Sequence, residues 1–186
     1  MGARILVALA CLSAIVAGCA VTGSEVETGT FADDVAFLRE HTDVIVLQDS
    51  SGNGQIVVLP EMQGRVMTST AEGPGGESFG WINRELVASE EFAEHINVFG
   101  GEDRFWLGPE GGQYSIFFEE GVPFDLDHWY TPAPIDTEPW ALMSRQADSA
   151  ALRKSMRVTN YSGEVFDLRV DRQVKVLDRE EALAAL

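Results

Sequence analysis

The chain has only two cysteines, Cys11 and Cys19, and both lie near its N-terminus. No thiol follows position 19, so a disulfide framework is excluded for the rest of the chain. Any domain built beyond this point must be stabilised by packing and hydrogen bonding.

Long apolar runs are also lacking. The clearest run covers residues 5–17 and follows Arg4. It is shorter than the roughly 20 apolar residues that a helix needs to cross a ~30 Å hydrocarbon layer. A short apolar segment behind a positive charge is typical of a cleavable secretion signal.

The run ends in Val16, Ala17, Gly18 and Cys19. This order of one branched residue, two small residues and a cysteine resembles the lipobox of bacterial lipoproteins. We therefore predict a signal peptide at residues 1–18, a lipid on Cys19 and a small, polar tether at residues 19–30. Cleavage of an ordinary secretory signal near the same position is the alternative.

The lipobox predicts a protein of the cell envelope that contacts the membrane through its lipid only. Ala20 follows the cysteine, and the Asp that is usual for retention in the inner membrane is absent there. In a Gram-negative host we expect the outer membrane, with the protein facing the periplasm or the surface.

Basic residues are scarce. Lys and Arg total 13 against 30 Asp and Glu, which gives a formal net charge of −17. Such a chain repels phosphate backbones and anionic lipid head groups. We therefore expect no nucleic-acid partner and no electrostatic docking to membranes.

The remaining sequence has the periodicities of one helix followed by strands. Residues 31–41 form an amphipathic pattern behind Thr30, with Asp33 and Asp34 in the first turn, and predict a helix. Asp178 and Glu181 have capping-box spacing and predict a short C-terminal helix. Alternating or β-branched stretches predict strands at residues 43–48, 55–60, 64–70, 113–119, 140–146, 152–160 and 165–177. Many strands with little helix predict a mainly β fold, an antiparallel β-sandwich, over residues 31–186.

The richest chemistry lies in residues 95–112. Gly100 and Gly101 allow a close backbone approach, Arg104 and Glu110 provide directional hydrogen bonds, and Trp106 provides a flat apolar face. This set suits a sugar, which has hydroxyl edges and a C–H face. The alternative is a long structural loop with Trp106 in the core and Arg104 paired to Glu102 or Asp103.

Three motifs carry a family resemblance: Gly64-Arg65-Val66, the segment at residues 99–106, and the segment Gly108-Pro109-Glu110-Gly111-Gly112. Together they resemble an uncharacterised family of bacterial proteins with a galactose mutarotase-like (aldose 1-epimerase-like) supersandwich. The resemblance covers residues 31–186, and because members are about twice this length, it implies the N-terminal half of such a domain. It also implies a concave carbohydrate site, to which Arg65 would contribute beside the loop residues.

The resemblance leaves catalysis unassigned. Aldose epimerases use a general acid, usually His, and a general base, usually Glu, in the later part of their fold. Many also carry His or Arg before the paired glycines, where this chain has Phe99. His95 and His128 could approach the groove, but we assign neither a catalytic role. We expect no cofactor and no metal, because Asp125, Asp127 and His128 resemble a solvated loop.

Two functions therefore remain open. The chain is either a lipoprotein that binds carbohydrate, with or without an epimerase-like activity, or a non-catalytic envelope lipoprotein that binds another protein.

Overall fold

The computed structural model describes residues 29–185. The predicted signal peptide and the lipidation site at Cys19 lie outside this part of the chain. Within it, no helix is long and apolar enough to cross a membrane.

The first element is helix α1, Phe31–His41, which confirms the predicted helix. Thr30 caps it: its hydroxyl accepts the Asp33 N–H at 3.2 Å, while the Asp33 carboxylate accepts the Thr30 N–H at 2.9 Å. The buried face of α1 consists of Phe31, Val35 and Leu38.

Sheet 1 contains β1 (Ile45–Gln48), β2 (Gln55–Leu59) and β3 (Arg65–Thr70), all antiparallel and in chain order. A register shift between Val57 and Val58 skips Met67 and marks a bulge in β3. Apolar side chains cover both faces of this sheet. One face packs against α1 through Val57, Leu59 and Met67.

Sheet 2 contains β4 (Ala141–Arg145), β5 (Ser149–Thr159) and β6 (Val165–Lys175), again antiparallel and in chain order. Charged pairs such as Arg157 and Asp167 cover its outer face. Its inner face belongs to the same core as the second face of sheet 1, with Leu47, Val58, Trp140, Leu152 and Met156 among the buried members.

The described chain is thus mainly β, with two three-stranded antiparallel sheets that share one core. This arrangement is compatible with the predicted β-sandwich. Helix α1 forms a third layer behind sheet 1.

One predicted strand is wrong. Residues 113–119 form turns and irregular backbone, and Ile116, Phe117 and Phe118 are buried in succession. A strand would alternate buried and exposed side chains, whereas this segment inserts three consecutive apolar residues into the core. Its backbone bonds to separate loops, for example from the Tyr130 N–H to the Phe117 carbonyl at 3.0 Å.

Three short helical segments complete the fold. They are a 3₁₀ helix at Pro60–Met62, α2 at Arg84–Ser89 and α3 at Ala133–Asp136, and none of them was predicted. Helix α4, Arg179–Ala184, confirms the C-terminal helix. The Glu181 carboxylate accepts the Asp178 N–H at 3.1 Å, while the Asp178 carboxylate accepts the Ser50 N–H at 2.9 Å.

Candidate functional site

The paired glycines lie where the chain crosses the edge of sheet 1. Residues 99–103 run between Val66 of β3 and the segment around Trp81 and Ile82, through isolated bridges from Gly100 to Ile82 and from Asp103 to Val66. Gly100 has φ 95° and Gly101 has φ 102°, which L side chains rarely adopt. This double left-handed turn redirects the chain into the loop at residues 102–112.

The close packing around positions 100 and 101 also leaves no room for a side chain larger than that of glycine. A Cβ on Gly100 would lie 2.1 Å from the Trp81 carbonyl oxygen, and one on Gly101 would lie 2.8 Å from Arg65 Cδ. From the sequence, the paired glycines are expected to let the backbone approach a ligand closely. In the structure, the close approach is to the chain itself.

Arg65 lies beneath this turn and is only 2% exposed. Its guanidinium donates to the Gly100 carbonyl and, at 2.9 Å, to Gln63 Oε1. Burial, together with the charge of Arg104, lowers the pKa of Arg65 to about 10, although the charge of Asp136 opposes the shift. Arg65 therefore holds the paired glycines from below, with little surface for a ligand.

Arg104 lies above the buried carboxylate of Asp136, which was not among the predicted site residues. Its Nη2 is 3.8 Å from Asp136 Oδ1 and donates to the Ile135 carbonyl at 3.3 Å. Asp136 also accepts the Asn97 N–H at 3.0 Å and the Asn97 side-chain amide at 2.7 Å. Arg104 thus pairs with a carboxylate from α3, and not with the adjacent Glu102 or Asp103.

Burial sets the charge balance of this pair. It raises the pKa of the Asp136 carboxyl, while the hydrogen bonds from Asn97 and the charges of Arg104 and Arg65 oppose that rise. Burial also lowers the pKa of Arg104, and Asp136 opposes that change. The site therefore contains two arginines and one carboxylate in a poorly hydrated environment.

Trp106 is half-buried, and its indole N–H donates to Glu110 Oε1 at 2.8 Å. The Arg104 guanidinium lies over the Trp106 ring, 4.0 Å from its centroid. The Phe117 ring lies 5.0 Å from the same indole at an interplanar angle of 33°. The structure therefore brings Arg104, Trp106 and Glu110 together, but neighbours from the chain itself cover much of the indole surface.

His95 and His128 line a different cleft of about 240 Å³, together with Glu119, Asp127 and Trp129. His95 Nδ1 is 2.6 Å from the Trp129 carbonyl oxygen, and His128 Nδ1 is 2.5 Å from Asp125 Oδ1. The hydrogen bond to His128 lowers the pKa of Asp125. Stacking connects this cleft to the loop, because Phe117 lies parallel to Trp129 at 5.6 Å and also contacts Trp106.

No group of three or more His, Cys, Asp or Glu side chains within residues 29–185 is placed to hold a metal ion. Asp125 and His128 bond to each other at an exposed turn.

Trp81 is a further residue near this site that was not among the predicted site residues. Its side chain is 57% exposed, and its backbone carbonyl accepts the Gly101 N–H at 2.9 Å. Trp81 therefore lies directly beside the paired glycines, with a more accessible indole than Trp106.

A protein-family model described as a family of unknown function, DUF6786, matches residues 29–186. The chain belongs to this family. No curated protein and no solved structure matches the chain.

Proposed function

We propose that the chain is an exported, lipid-anchored protein of the cell envelope whose sandwich binds carbohydrate, and that its fold is of the galactose mutarotase-like type. The observation that carries the proposal is the ordered group of Arg104, Trp106 and Glu110. A guanidinium, an indole and a carboxylate meet there within contact distance on one loop.

Buried partners hold this group in place. Asp136 and the Ile135 carbonyl fix Arg104 from below, and Phe117 supports Trp106. A site whose side chains are already ordered loses less conformational entropy when a ligand binds. Preorganisation of this kind favours a binding role for the loop.

The chemistry fits a neutral sugar. Glu110 is exposed and can accept hydroxyl protons, while the rim of the indole remains half-accessible. The net charge of −17 disfavours anionic glycans. We therefore propose neutral hexoses or their oligomers as the ligand class.

An epimerase-like activity would need an acid and a base on opposite sides of the anomeric carbon. We assign these roles to no residue, and the proposal is one of binding.

The alternative function, binding of another protein, has its own supporting observation. Strand β6 is an edge strand among residues 29–185, and Phe166 on its inner face is 43% exposed. An exposed strand edge is a template for pairing with another chain.

Two conservative substitutions test the carbohydrate site, measured by calorimetric titration of the full chain with neutral mono- and oligosaccharides. Arg104→Lys keeps the charge but loses the planar donor pair, and Glu110→Gln removes the anionic acceptor. Each should weaken sugar binding by about 1 to 3 kcal/mol. Glu120→Gln, at another exposed position, is the matched control and should bind like the unmodified chain.

Thermal melts of each variant separate binding from folding. If the folded Arg104→Lys and Glu110→Gln variants bind sugar with unchanged affinity, the loop at residues 102–112 is not part of the sugar site. Absence of sugar binding by the unmodified chain would favour the protein-binding alternative.

A further inference from the structure

We propose that Phe79 and Trp81 form the surface on which a neutral sugar ring stacks, next to the paired glycines. We call these two side chains the aromatic platform. This inference rests on the proposed carbohydrate-binding function and assigns its apolar contact to residues outside the loop at residues 102–112.

Gly80 determines which way the platform faces. A Cβ on Gly80 would lie 2.2 Å from the Met67 carbonyl oxygen, so this residue lies flat against β3. The Gly80 N–H donates to Thr68 Oγ1 at 3.0 Å, and the Phe79 N–H donates to the Ser69 carbonyl at 3.0 Å. The chain bends at Gly80, and the side chains of Phe79 and Trp81 on either side of it are both exposed.

The exposure of the two rings agrees with this geometry. Phe79 is 56% exposed and Trp81 is 57% exposed. Two exposed aromatic side chains on either side of one half-buried glycine place accessible apolar surface on this short segment. Neither ring belongs to the two buried hydrophobic clusters.

The chain also fixes the position of Trp81. Its carbonyl accepts the Gly101 N–H at 2.9 Å. Its ring atom Cε3 lies 3.0 Å from the point that a Cβ on Gly100 would occupy, so the indole rests against the bare glycine. Trp81 thus offers a positioned aromatic surface, whereas Arg104 and Phe117 already contact the ring of Trp106.

A hydrogen-bonding group is anchored to the residue of β3 that also binds the Phe79 backbone. The Glu102 carboxylate accepts a proton from Ser69 Oγ at 2.8 Å, and Ser69 is the residue whose carbonyl binds the Phe79 N–H. Glu102 is exposed. An anchored, exposed carboxylate can accept sugar hydroxyl protons while an aromatic ring contacts C–H groups.

The size and charge of the platform favour a small neutral ligand. With 56% and 57% exposure, the two rings present roughly 250 Å² of accessible area. A stable protein interface buries about 800 Å² on each partner. The net charge of −17 disfavours nucleic acid and anionic membranes.

Calorimetric titration of the detergent-solubilised full chain with glucose, galactose and their β-1,4-linked oligomers tests the platform. Trp81→Ala should weaken binding of the preferred sugar at least about tenfold, and Trp81→Phe should restore most of the affinity because a planar ring remains. Leu126→Ala is the matched control, since Leu126 is 83% exposed on a different loop.

The outcomes separate this inference from the broader proposal. If the folded Trp81→Ala variant binds sugar as well as the unmodified chain, the aromatic platform is not the sugar contact. The carbohydrate-binding function would then depend on Arg104 and Glu110. No binding of any of these sugars by the unmodified chain would overturn both. A tenfold loss restored by Trp81→Phe would support both.

Discussion

Arg65, Arg104 and Asp136 form a small buried charge system beneath the loop, and the sequence reveals only part of it. Arg65 and Arg104 stand out because each lies in a glycine-rich motif. Asp136 gives no such signal, since an aspartate after Pro134 and Ile135 resembles an ordinary turn residue. Only the tertiary fold brings α3 beneath the loop, so the partner of Arg104 could not be predicted from spacing.

Asp136 should give a pH dependence that two variants can separate. Burial raises the pKa of Asp136 in the folded state. The contribution of Asp136 to stability is therefore complete at pH values below the ordinary carboxyl pKa, and it is lost as the pH rises through the folded-state pKa. Asp136→Asn mimics the protonated form, and we expect it to lack this loss. Asp136→Ala should instead cost about 1 to 3 kcal/mol at every pH, because the Asn97 donors lose their acceptor.

Urea unfolding of the unmodified chain and both variants, at closely spaced pH values from 3.5 upward (about the ordinary carboxyl pKa), measures this difference. Exposed acids with lowered pKa values, such as Asp167, remain in all three proteins, so the difference between curves isolates position 136. Parallel curves for the unmodified chain and Asp136→Asn would contradict the account.

At the scale of elements, local pattern predicted regular structure well and irregular structure poorly. Helix α1 and strand β6 have complete periodicities, and the cap of α1 can be identified from Thr30 and Asp33. The strand prediction for residues 113–119 was wrong because a run of apolar side chains has the composition of a buried strand even when its backbone is irregular. The segment at residues 79–81 was missed because its role depends on contact with β3.

The contact of this segment with β3 should be sensitive to a single methyl group. We expect Gly80→Ala to destabilise the fold by about 1 to 3 kcal/mol, because its Cβ would meet the backbone of Met67 and Thr68 at 2.2 and 2.7 Å. Gly75→Ala is the matched control, as no atom lies within 4 Å of its added Cβ. Thermal unfolding of the two variants compares them directly, and equal midpoints would contradict the described packing.

For the whole molecule, the sequence predicts the class of fold but not its finer type. The strands of the two three-stranded sheets follow from runs rich in Val, Ile and Leu and, in β6, from alternating apolar residues. The supersandwich and the carbohydrate function remain proposals that rest on the motifs around Arg65, Gly100 and Gly108. Of the predicted site residues, Arg65 and the paired glycines support the backbone, while Arg104, Trp106 and Glu110 form a surface group.

Attachment to the membrane is a property of the whole molecule that one substitution tests. Cys19→Ala removes the only thiol after the apolar run. We expect the variant to take up no labelled palmitate and to leave the membrane fraction, because several acyl chains on one residue are what give a stable anchor. An unmodified chain that takes no label, together with a variant that still sediments with membranes, would contradict the predicted lipidation.

The most direct test of the central claim is saturation-transfer NMR on the full chain with neutral hexoses and their β-1,4-linked oligomers. If the aromatic platform and the loop at residues 102–112 bind sugar, aromatic protons should transfer magnetisation to the C–H protons on one face of a sugar ring. The transfer should fall sharply in Trp81→Ala and persist in Leu126→Ala. Absence of transfer from the folded, unmodified chain to any of these sugars would contradict the account.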